Sequence, residues 1–287
     1  MFLISTTFLI VIGSLSTFVN CWYSSPWDVA GCGRVLRPNV NSAVNESDAD
    51  AAHHPWMALL TQEGGEHCHG ILLPSSRVNT SSVVVVSASC QRKTSTDKQR
   101  VVTGIGPDGR LDGNHTKTAS VVGVLSGSGH CFDDVAFVLF SPEVHFNEHV
   151  KPVCLPRQST PPPNSPCLLA GYSIERAEDG SHGISKVQLK ETALMVRRQN
   201  RGTFMGSYFF YVHNITSKTD VTHFKGTPLV CLHNGLWTLY GTIIPLESLE
   251  NEFVFADVYS RLQLLEGEME LPKGPFLTFL SNLGLWD

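Results

Sequence analysis

The eight cysteines of this chain include no C-x-x-C pair and stand far apart. Metal ribbons and dithiol redox motifs need such close pairs, so this distribution suits structural disulfides and an oxidising compartment. Positive charge is sparse as well. With 21 Lys and Arg against 26 Asp and Glu, a net charge of −5 and no basic stripe, the composition argues against nucleic acid as a partner. Long apolar runs are missing beyond the N-terminal stretch, and no later segment approaches the roughly 20 apolar residues of a membrane span. Long amphipathic patterns are scarce too, with 262–271 the best helix candidate.

What is present points outward from the cell. The start, MFLISTTFLIVIGSLSTFV, carries no charge before Asp28. It reads as a secretory signal over residues 1–20, cleaved after Ser16 or at Asn20 or Cys21, in preference to a buried N-terminal helix. Sequons at Asn45, Asn79, Asn114 and Asn214 fit glycosylation of an exported chain. The remainder reads as all-β. Short β-rich runs recur at 82–86, 100–103, 135–140, 186–196 and 236–244, separated by turn clusters such as GPDGRLDGN. Val83 to Val86 is an unbroken β-branched run, expected for a strand buried on both faces. The Pro-rich stretch from Pro156 to Pro166 is the expected hinge between two halves.

Motifs then carry the reading further. In order along the chain stand HPW at His54, HCHGILL at His67, VVVVSASC ending at Cys90, and DVAFVLF at Asp134. VKPVCLP follows at Val150, CLLAGYS at Cys167, KGTPLVC at Lys225 and VYSRL at Val258. Together they resemble the trypsin/chymotrypsin-like serine protease family over 43–271. HCHGILL stands for that family's C-G-G-S-L-I, SASC for A-A-H-C, and KGTPLVC for S-G-G-P-L-V-C.

The resemblance implies two antiparallel six-stranded β-barrels, about 43–155 and 156–271, with a short C-terminal helix. A leader over 21–42 precedes them and an apolar extension over 272–287 follows. By motif position Cys68 pairs with Cys90, Cys167 with Cys231, and Cys32 with Cys154; Cys21 and Cys131 are left over and could pair with each other. The resemblance also defines three catalytic slots. Ser89 stands in the histidine slot, Asp134 in the aspartate slot, and Lys225 in the serine slot. That chemistry needs a nucleophile, an imidazole base and an orienting carboxylate, and only the last is kept. His223 and Phe224 replace the glycine and the acidic residue before the nucleophile, and AVNE at Ala43 replaces I-V-G-G, with Ser42 before it where a tryptic cut needs a basic residue. The expectation is an inactive, secreted protease homologue without metal or cofactor. By resemblance it would regulate or assist active proteases, or serve as an adaptor in immune or reproductive fluid. Its partners would be extracellular proteins, including serine proteases or their substrates. The alternatives are a hydrolase using a Ser89/Lys225 dyad, and a purely structural secreted glycoprotein.

Three smaller expectations complete the reading. His67 and His69 share one strand face while Cys68 takes the other, so a disulfide is favoured over a zinc site there. His53 and His54 form a solvated approach to the first strand. The apolar residues of the tail from Lys273 to Trp286 pack back on the body.

Overall fold

A computed structural model describes residues 31–35, 47–49, 51–62, 66–74, 79–91, 95–126, 133–176, 184–196, 199–204, 207–213, 226–244 and 252–263. The first half contains β2 (Met57–Gln62), β3 (His67–Leu73), β4 (Thr80–Val86), β5 (Gln99–Thr103), β6 (Lys117–Ser126) and β7 (Ala136–His145). These close into a six-stranded barrel in the order β2-β3-β4-β7-β6-β5. The second half contains β8 (Pro166–Arg176), β9 (Ile184–Met195), β10 (Gln199–Phe204), β11 (Ser207–His213), β12 (Pro228–His233), β13 (Leu236–Ile244) and β14 (Glu252–Asp257). They form one antiparallel sheet, joined at one end by β1 (Ser47–Asp48), in the order β1-β9-β8-β12-β13-β14-β11-β10. Six strands between the short β1 and the outermost β10 thus make the second lobe of the expected double-barrel architecture.

The two-residue period of the strands divides the core into three clusters. Along β4, Val84 and Val86 point into the first barrel with Leu60, Leu72 and Phe140. Val83 and Val85 point the other way, into a cluster that also contains Leu168, Tyr172, Val230 and Trp237 from the second half. Both faces of β4 are therefore buried, as its β-branched run predicts. On β8, Cys167 and Leu169 enter the interior of the second sheet with Phe210 and Phe255, while Leu168 and Ala170 face the first barrel. The seam between the halves is thus an apolar layer built from the alternate faces of both.

Disulfides form at Cys32–Cys154, Cys68–Cys90 and Cys167–Cys231, the three pairs implied by motif position. The first ties the leader to the body beside Trp237, where Gly33 donates to Pro152 O and accepts from Trp237 N. Gly33 has φ +61, and a Cβ there would run into the Trp237 backbone, so glycine is required. A helical turn begins at 258 after β14 and is described through 263; the rest of the 262–271 segment read from the pattern lies outside the described residues. Asp257 accepts from the Ser260 amide and hydroxyl at 3.2 and 2.7 Å, capping that turn's N-terminus.

One expectation is corrected. His54 is not solvated: it is 2 % exposed, packs edge-on to Trp56, and places Nε2 2.6 Å from Glu191 Oε2 on β9. His54, ahead of β2, is a tie between the two halves. Cys21, Cys131, Asn45, Asn214 and the 272–287 extension lie outside the described residues.

Candidate functional site

β4 and β7 run antiparallel, with Val86 opposite Ala136, so the residues just past one strand meet those just before the other. This brings Ser87 and the one-turn helix α1 (Ala88–Gln91), carrying Ser89, beside Asp134. The carboxylate is 2 % exposed. Its Oδ2 accepts from Ser87 Oγ at 2.6 Å and from Ser89 Oγ at 3.2 Å, and its Oδ1 accepts from the Ser89 amide at 2.6 Å. The two serine hydroxyls are 2.9 Å apart. Asp134's own carbonyl accepts from Thr242 Oγ1 at 2.8 Å, which fastens the site to β13 of the second half.

The carboxylate accepts from the Ser87 and Ser89 hydroxyls and the Ser89 amide, the stronger, charge-assisted kind of hydrogen bond. It fixes α1 through the Ser89 amide, and the Cys68–Cys90 disulfide fixes the same turn from behind. Ser89 is the exposed member of the cluster, while Ser87 is buried. The structure therefore brings two of the three catalytic slots together, Ser89 and Asp134. Lys225, with His223 and Phe224, lies outside the described residues.

The chain returns to view at Gly226, next to the third slot. Gly226 has φ +72, and a Cβ built there would come 2.6 Å from Ser87 Cβ. Only glycine fits both the left-handed backbone and this approach. A Gly226→Ala variant is expected to lose about 2 kcal/mol of stability, the scale of one strained residue. Denaturant unfolding checks this; an unchanged midpoint would mean that the turn relaxes freely.

Sequence reasoning missed two residues of this region. Ser87 gives Asp134 its shortest side-chain bond, yet it reads only as the first residue after a buried strand. His69 is 5 % exposed at the seam, with Nε2 3.0 Å from Tyr172 O and Nδ1 3.1 Å from Thr227 Oγ1. The departure of His69 from the motif's first glycine was the available sign. Burial pushes the Tyr172 phenol well above its usual value, so it stays neutral in this layer.

The Trypsin family model matches residues 43–244. Together with the closed barrel, the second lobe and the disulfides, this match places the chain in the trypsin family. β14 continues the second sheet past the end of the match, through pairing with β13 and β11.

Proposed function

We propose that this chain is a secreted serine-protease homologue without peptidase chemistry, acting as a protein-binding regulator or adaptor. The observation that carries the reading is the hydrogen-bond set of Asp134. In the position where the mechanism needs an imidazole, the carboxylate holds the hydroxyl and amide of Ser89. A serine hydroxyl cannot accept a proton near neutral pH, and the loss of one triad member removes on the order of four decades of rate.

Lys225 takes the remaining slot. It is bonded to Gly226, which abuts Ser87. On the proposed reading its ammonium neutralises the buried Asp134 charge and, held protonated, is no nucleophile or base. That reading disfavours a Ser89/Lys225 hydrolytic dyad, which needs a neutral amine.

Secretion is supported by the disulfides and by two sequons on exposed turns, Asn79 and Asn114. Asn79 adopts φ +61, a conformation that asparagine tolerates in turns. Two experiments separate the classes. A fluorophosphonate probe reports any activated serine, and none is expected. Copurification of the native protein from its fluid is expected to recover a protein partner; recovery of none would favour a purely structural glycoprotein.

A further inference from the structure

We infer that His69 is a latch between the two halves, holding the segment that leads from the third catalytic slot into β12. The imidazole is nearly inaccessible and lies between β3, the Tyr172 carbonyl of β8, and Thr227. A carbonyl oxygen can only accept, so Nε2 carries the hydrogen toward Tyr172 O. In the neutral ring Nδ1 is then an acceptor, and the Thr227 hydroxyl donates to it. One side chain thereby bonds across two long sequence intervals, 103 and 158 residues.

The surroundings are shaped to this ring. A Cβ on Gly171 would lie 3.2 Å from His69 Cε1 and 3.1 Å from Thr227 Oγ1, so glycine leaves the room that imidazole and hydroxyl use. Thr227 is wholly buried, and its carbonyl accepts from Ile243 N at 3.0 Å on β13. His69 thus grips one side of Thr227 while β13 grips the other, and Gly226 rests on Ser87. The first glycine of the C-G-G-S-L-I motif could make neither imidazole bond. The latch depends only on these contacts and holds whether or not the neighbouring site is catalytic.

Hydrogen exchange on the full-length secreted protein tests it, because two amides of β13 report different neighbours. Ile243 N bonds to Thr227 O, whereas Leu239 N bonds to Cys154 O. In His69→Ala the Ile243 amide is expected to exchange at least tenfold faster, with Leu239 unchanged. Thr227→Val should do the same, and the double variant should add nothing further. His69→Gln, whose amide can both donate and accept, should restore much of the protection. A parallel rise at Ile243 and Leu239 would mean general damage to the core and would overturn the latch. So would additive effects in the double variant, or no change at Ile243. A fluorophosphonate-reactive Ser89 would instead overturn the proposed function and leave the latch standing.

Discussion

A Lys225→Ala variant is expected to lose about 3–5 kcal/mol of unfolding free energy, the usual cost of leaving one charge of a buried pair alone. Asp134 is 2 % exposed, and the Ser87 and Ser89 hydroxyls and the Ser89 amide orient its carboxylate. On the proposed reading the lysine neutralises its charge. The companion variant is Asp134→Asn. In the Lys225→Ala background it removes the stranded charge and should recover a large part of the loss, a coupling that a double-mutant cycle measures directly. Lys225→Arg keeps the charge and should fall between. A Lys225→Ala protein as stable as the parent would show that the lysine does not neutralise Asp134.

Replacing both Cys167 and Cys231 with alanine is expected to cost about 4 kcal/mol. The two are wholly buried and lie directly opposite one another on β8 and β12. Their separation of 64 residues sets the loop that the bridge closes in the unfolded chain. Loop-closure entropy gives about 3 kcal/mol for 15 residues and about 4.7 for 100, so the loss should fall between. The same argument orders the three bridges. Loss of Cys68–Cys90, with a separation of 22, should cost least, and loss of Cys32–Cys154, with 122, most. Denaturant midpoints with their slopes check both magnitude and order. An inverted order would mean that native packing around each bridge outweighs the unfolded-state term.

The elements legible in the sequence were those whose local preference and tertiary role agree. β4, β5 and β13 fall within two residues of their β-branched runs at each end. The run was read as 135–140, whereas pairing of Ser141 with Ser120 and of His145 with Thr80 carries β7 to His145. There the neighbouring strands override local propensity. The disulfides and the Ser89–Asp134 cluster came from ordered motifs, since neither spacing nor periodicity shows that residues 45 apart will meet. His54 was misread for the same reason. Two histidines before a strand look like a solvated approach, and the carboxylate that buries one of them is 137 residues away. His69 was assigned to the right strand face, but a face does not reveal what the opposing half presents to it.

The central claim is that the site keeps the family's carboxylate without its chemistry. The most direct measurement exposes the purified native protein to a fluorophosphonate probe, with an active trypsin-family enzyme alongside, and maps any adduct by mass spectrometry. The account predicts labelling of the enzyme and none of this chain, before and after denaturation, because on the proposed reading Ser89 has no base to activate it. An adduct on Ser89 that forms only in the folded protein and disappears in Lys225→Ala would contradict the account and establish a serine–lysine hydrolase on this scaffold.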